Sequence, residues 1–210
     1  MTTNSPVKEA SINTLPVMED FYTIQGEGAY QGYAAYFIRL GGCDVGGVWC
    51  DVKESWPFDA HPKIRVEELA EKVATSRAPI AVITGGEPAM HDLTGLTTAL
   101  QGSGTRTHIE TSGAYPLTGI WDWVCLSPKK FKAPDASVYK HAHELKIIIY
   151  NKSDFAWAEQ EASKVGSTCK LFLQPEWSRE KEMLPLIIDY VKAHPQWRIS
   201  LQVHKYMNIP

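Results

Sequence analysis

A chain of 210 residues with a formal net charge of −3 is long enough for one domain that buries most of its apolar surface without disulfide staples. Acids and bases are interspersed, which removes the electrostatic reason for a nucleic-acid partner. The absence of a signal peptide or a long apolar run argues against a membrane. Four cysteines (Cys43, Cys50, Cys125, Cys169), only the first two of them close together, fit a reduced, cytoplasmic, soluble protein that acts on a small ligand. Residues 1–16 read as a polar N-terminal tail, disordered or packed along an edge, and 17–210 as a single domain. Within that domain the spacing of apolar residues predicts, in chain order, a strand at 35–40, a helix at 66–74, a strand at 80–84 and a helix at 93–100. Strands at 107–111, 123–126 and 145–150 follow, then a helix at 154–164, a strand at 170–173, a helix at 181–192 and a strand at 199–203. Apolar positions three and four apart mark the helices, and short β-rich runs ending at polar or glycine-rich turns mark the strands. This order is that of an α/β fold with mostly parallel strands.

In such folds chemistry gathers at the carboxyl ends of the strands. Leu40 leads into the cysteine loop, Ile83 into Thr84-Gly85-Gly86-Glu87-Pro88, and Ile109 into Glu110-Thr111-Ser112-Gly113. Leu126 leads into Ser127-Pro128-Lys129, Leu173 into Gln174-Pro175-Glu176-Trp177, and Val203 into His204-Lys205. Six polar loops are thus expected around one mouth.

The cysteine loop, Gly41-Gly42-Cys43-Asp44-Val45-Gly46-Gly47-Val48-Trp49-Cys50-Asp51, resembles the loop that holds a [4Fe–4S] cluster reactive towards S-adenosylmethionine (SAM). Such a loop supplies three thiolates at Cys-x3-Cys-x2-Cys spacing. Here Cys43 and Cys50 take the outer positions, and Gly47 stands at the middle one, with no soft donor for iron. Cys125 lies inside an expected strand and Cys169 just before another, so both read as small packed hydrophobes rather than replacement ligands.

Taken together, Ile24-Gln25-Gly26-Glu27-Gly28, Phe37 through Cys43, Gly-Gly-Glu-Pro, Glu-Thr-Ser-Gly, Ser-Pro-Lys and Asn208-Ile209-Pro210 resemble the 7-carboxy-7-deazaguanine synthase family of radical SAM enzymes. The likeness runs from Val17 to Pro210. It implies an incomplete TIM-like barrel, a homodimer, and conversion of 6-carboxy-5,6,7,8-tetrahydropterin to 7-carboxy-7-deazaguanine with loss of ammonia, a carbon–nitrogen lyase step of queuosine biosynthesis. The cofactors implied are SAM, a [4Fe–4S] cluster and Mg2+, served by a reductase or flavodoxin-type electron donor. No catalytic side chain is expected beyond the cofactors, because the cofactor carries the reactivity and the protein the orientation. Val52 occupies the position of a family threonine that binds magnesium, and a valine side chain cannot coordinate that ion.

By the same resemblance Trp49, Cys50, Asp51, Gly86, Glu87, Ser112, Ser127, Pro128, Lys129, Gln174, Pro175, Glu176 and Trp177 contact SAM. Gly85 and Gly86 allow a close backbone approach, and Glu87 is placed on the SAM amino group. Ile24, Gln25, Gly26, Glu27, Arg39, Thr84, His204 and Pro210 contact the substrate. Arg39 matches a carboxylate with its guanidinium fork, Gln25 and Glu27 match the amidine edge of the pterin, and Pro210 aims a stiff chain end. Each has a plainer competitor. The glycine loop reads equally as a turn before a helix, Ser112 as a helix cap, Arg39 as half of an ion pair, His204 as a satisfied core histidine, and Pro210 as a frayed terminus. Three functional readings stand: a catalytic synthase with one altered ligand, a pseudoenzyme that binds SAM, pterin or a protein partner, and an iron-free domain that keeps only the shape. Gly47 predicts little or no turnover in the first.

Overall fold

The computed structural model describes residues 13–46 and 53–210. The chain runs through β1 (Thr14–Ile24), β2 (Ala34–Leu40), β3 (Lys63–Arg65), α1 (Val66–Ser76), β4 (Ile80–Gly85), α2 (Thr94–Gly102), β5 (Arg106–Thr111) and β6 (Trp123–Leu126). It continues through α3 (Ala136–Tyr139), β7 (Glu144–Ile149), α4 (Ser153–Ala162), β8 (Lys170–Pro175), α5 (Glu180–Ala193), β9 (Trp197–Ile199) and α6 (Val203–Met207). Among the described residues nine strands form one sheet in the order β3-β1-β2-β4-β5-β6-β7-β8-β9. From β2 to β9 every neighbouring pair is parallel, while β1 joins β2 and β3 antiparallel. The sheet is open, with β3 and β9 at its edges, as an incomplete α/β barrel requires.

Strand alternation sorts the side chains. On β2, Tyr36, Ile38 and Leu40 join the core beneath α1 and α2, as do Ala81 and Ile83 of β4. On β7, Leu145, Ile147 and Ile149 pack with Ala158 of α4 and with Met183 and Ile187 of α5. The opposite face carries Ala35, Phe37, Ile80 and Val82 at its base. Higher up, the same face turns Arg39, Thr84, Glu110, Lys146, Ile148 and Gln174 into a cavity. Helix α1 shows why these residues form this element. Val66, Leu69 and Val73 face the sheet, Glu67 and Glu68 sit in the positive first turn, and Arg77 closes the end at φ 58°.

Two expectations give way. Strand β1 begins at Thr14, inside the segment read as tail, because Leu15 and Val17 are buried at 3% and 1% exposure and Thr14, Leu15 and Pro16 pair with β3. The last strand is Trp197–Ile199 rather than residues 199–203. Ser200 N donates to Leu173 O, but Val203 N then turns to Gly26 O at 3.0 Å, and Val203 opens the short helix α6. The alternation of Ile199, Leu201 and Val203 resembles a strand, yet the last two lie beyond the reach of β8. No helix among the described residues is long and apolar enough to cross a membrane.

Candidate active site

The cavity at the carboxyl ends of the parallel strands measures about 510 Å³, within the usual range for small-molecule sites. The cysteine loop and the glycine loop are fastened to each other at its rim. Gly86 N donates to Leu40 O at 2.8 Å and Glu87 N to Gly42 O at 2.9 Å. A Cβ on Gly85, at φ 116°, would overlap the Leu40 backbone, and one on Gly86 would overlap the Gly42 carbonyl. The two glycines therefore permit the close packing of two loops as well as access to the cavity. From the other side Gly42 N donates to Ser55 O and Cys43 N to Trp56 O, so half-buried Cys43 is held from both flanks at the cavity wall. Asp44 adds a clamp: it pairs with Lys132 at 2.9 Å and accepts from Tyr115.

Glu87 is 1% exposed, and both its oxygens are engaged. Oε1 accepts from Ala89 N at 3.0 Å and Thr111 Oγ1 at 2.5 Å, while Oε2 accepts from Ser112 N at 2.8 Å and from Ser112 Oγ. The side chain that the resemblance places on the SAM amino group ties the glycine loop to the end of β5. The hydroxyl of Ser112 is drawn into that tie. Lys129 Nζ donates to Ser127 Oγ at 2.9 Å. Gln174 accepts from Ser200 Oγ, which in turn accepts from Gly28 N at 3.0 Å, linking the end of β8 to the segment that follows β1.

The cavity wall also carries an ionic triad. Lys146, with a 5% exposed side chain, donates to Glu27 and to Glu110 Oε2 at 3.1 Å. Gln25 Nε2 donates to Glu110 Oε1 at 2.8 Å, and Gln202 Nε2 to Glu27 Oε1 at 2.9 Å. Burial works to raise the Glu27 carboxyl, but the Lys146 ammonium and the hydrogen bonds from Lys146 and Gln202 outweigh it and hold it at about 2. Burial also lowers His204, against the opposing pull of Glu27. Arg39 lines the cavity while donating to Glu19 at 2.6 Å and lying 5.0 Å from the Phe21 ring centre.

No protein-family model matches the chain. It is 60% identical to the 7-carboxy-7-deazaguanine synthase of Flavobacterium psychrophilum, over 93% of each chain. The synthase of the same name from Synechocystis sp. is 50% identical, over 97% of this chain and 98% of the relative. The chain belongs to the 7-carboxy-7-deazaguanine synthase family. The fold agrees: the crystal structure of QueE from Escherichia coli superposes with a TM-score of 0.80 at 30% identity, covering 90% of this chain and 94% of that one.

Against the expectations for a 7-carboxy-7-deazaguanine synthase, Ile24, Gln25, Gly26, Glu27, Arg39, Thr84, His204 and Pro210 all face the one cavity. Cys43, Gly86, Glu87, Ser112, Ser127, Lys129, Gln174, Pro175, Glu176 and Trp177 face it too, whereas Pro128 does not. Gly47, Trp49, Cys50, Asp51 and Val52 lie outside the described residues. Among the described residues Cys43 is the cysteine at the cavity. Cys125 donates to Glu144 at 3.4 Å, and burial raises its thiol well above the usual range. Burial likewise pushes Cys169 up to about 12. Neither acts as a ready thiolate. Sequence reasoning missed Lys146 and Gln202 because it searched the loops after the strands. The available signal was Glu144-Leu145-Lys146-Ile147, where charges alternate with apolar residues inside a strand.

Gly26 shows how tightly the cavity is built. A Cβ there would overlap the His204 ring. Gly26→Ala is expected to lower stability by about 1–3 kcal/mol in urea unfolding. Gly102→Ala, at the end of α2 with open space around it, is expected to leave the midpoint unchanged or slightly raised.

Proposed function

We propose that the cavity holds SAM and a carboxylated tetrahydropterin side by side, as in 7-carboxy-7-deazaguanine synthesis, and that the chain with Gly47 turns over little or not at all. The observation that carries the reading is the gathering of all eight expected substrate residues and most of the expected SAM residues around one cavity. Arg39 takes the substrate carboxylate while keeping its bond to Glu19. Its guanidinium carries five donors, so the bond from Nη1 to Glu19 leaves donors for a second acceptor. Ionised Glu27 accepts from the amidine edge, and His204, packed against Gly26, and Pro210 complete the same side. Gly85, Gly86, Ser127, Lys129 and Gln174 receive SAM, with Glu87 anchoring the loop beneath it.

SAM supplies the hydrogen-abstracting reactivity of this family, and the cluster supplies the electron. The donor set does not fit a complete cluster, since two cysteines occupy a loop built for three. Mg2+ at Val52 lacks a side-chain oxygen. A homodimer, a reductase or flavodoxin-type electron donor and a cytoplasmic setting complete the reading. The missing thiolate favours a second reading, a pseudoenzyme that binds SAM or pterin without radical chemistry.

Titration calorimetry with pterin-6-carboxylic acid, in the presence of SAM, tests the pterin site. Arg39→Ala is expected to weaken binding about a hundredfold through loss of a charge-paired fork. A chain that binds no pterin acid, or an Arg39→Ala variant that binds it equally well, overturns the assignment.

A further inference from the structure

We infer that Lys146 is a positioning residue of the pterin site, its ammonium bridging Glu27 and Glu110 across the barrel interior so that Glu27 stays ionised and aimed at the ligand. The inference rests on the reading of the cavity as a pterin site. Glu27 follows β1, Glu110 stands on β5 and Lys146 on β7, so no local element fixes any two of them together. They meet through the bonds of Lys146 to both carboxylates. Those same carboxylates carry the amides of Gln25 and Gln202. Removing the ammonium would therefore loosen four side chains on the wall at once.

The groups that face this centre are few. Glu110, Glu27, Cys125 and Glu144 surround Lys146, and His204 adds a favourable charge to Glu27. Cys125 and Glu144 are both held towards their neutral forms, chiefly by burial. Neither replaces the cation. In the intact chain Glu27 lies at about 2, below an unfolded value of about 4.3. The stability it contributes is present above the unfolded value and is lost as the pH falls towards 2, so it is flat between pH 5 and 8. Without Lys146 burial dominates and the folded value rises above the unfolded one. The protonated form then supports the fold at low pH, and that support is lost as the pH rises.

Lys146→Met keeps the length of the side chain and removes the charge. Urea unfolding from pH 5 to 8 is expected to show the gap between the parent chain and Lys146→Met widening as the pH rises. Lys146→Met/Glu27→Gln is expected to narrow that widening. Pterin-6-carboxylic acid is expected to bind Lys146→Met about a hundredfold more weakly at pH 6, with part of the loss recovered at higher pH as Glu27 ionises. A gap independent of pH overturns the inference, because packing alone then explains the lysine. If Lys146→Met does not fold, folding of the double variant supports the inference and its failure to fold overturns it. Should the parent chain bind no pterin acid, the reading of the cavity fails, while the unfolding experiment still decides whether Lys146 keeps Glu27 charged.

Discussion

Gly47→Cys, reconstituted anaerobically with iron and sulfide, is expected to hold a four-iron cluster and to cleave SAM, while the chain with Gly47 retains little iron and cleaves almost none. Loss of an outer-shell partner alone costs a metal site about 10–100-fold. Loss of a direct ligand is therefore expected to cost more than about a hundredfold in SAM cleavage. The backbone around the neighbouring ligand is already organised. Cys43 is held by Trp56 O on one side, and the bond from Glu87 N to Gly42 O braces the other. Iron counting and cleavage of SAM to 5′-deoxyadenosine check the prediction. Equal cleavage by the two chains would show that three thiolates in this loop are not required. Failure of the cysteine form to hold iron, with pterin binding intact, would move the chain to the pseudoenzyme reading.

Glu87→Ala is expected to be the most damaging single change away from the cluster. It removes the acceptor from Ala89 N, Thr111 Oγ1, Ser112 N and Ser112 Oγ at a position that is 1% exposed. Each buried donor left without a partner costs about 1–3 kcal/mol, and partial relaxation brings the total to about 3–4 kcal/mol. For a chain of this size that corresponds to a melting temperature lower by about 6–16 °C. The glycine loop would also come away from β5, so affinity for SAM should fall along with stability. Glu87→Gln keeps one acceptor oxygen but sets an NH2 group against the donors from Ser112 or from Thr111 and Ala89. Its loss should be smaller. Thermal unfolding and SAM titration of both variants separate the structural tie from direct contact: a ligand held by the Glu87 side chain itself would lose affinity in both without a matching loss of stability.

Much of the architecture is legible in the chain because burial imposes its period on the residues. The four longer helices α1, α2, α4 and α5 lie where apolar residues recur at three and four, and six of the seven expected strands coincide with β2 and β4 through β8. The failures have local causes. Strand β1 hides because its alternation is broken, with a register shift between Val17 and Glu19 and two acids, Glu19 and Asp20, in its middle, and the run at 199–203 keeps a strand pattern although the sheet ends at β9. The site was legible as a set of motifs at strand ends, but their internal connections were not. Nothing in Thr-Gly-Gly-Glu-Pro says that Glu87 spends its oxygens on Thr111 and Ser112, and nothing near Glu27 points to Lys146, 119 positions away.

What the sequence by itself determined is the family, most of the alternation of strands and helices and the polar loops around one mouth, because each is written in residue identity and spacing. What only the tertiary structure decided is which polar atoms satisfy one another. Lys146, Glu27 and Glu110 come from distant segments, and a charge buried beneath a sheet is tolerated only when the fold delivers its partner to within hydrogen-bond reach.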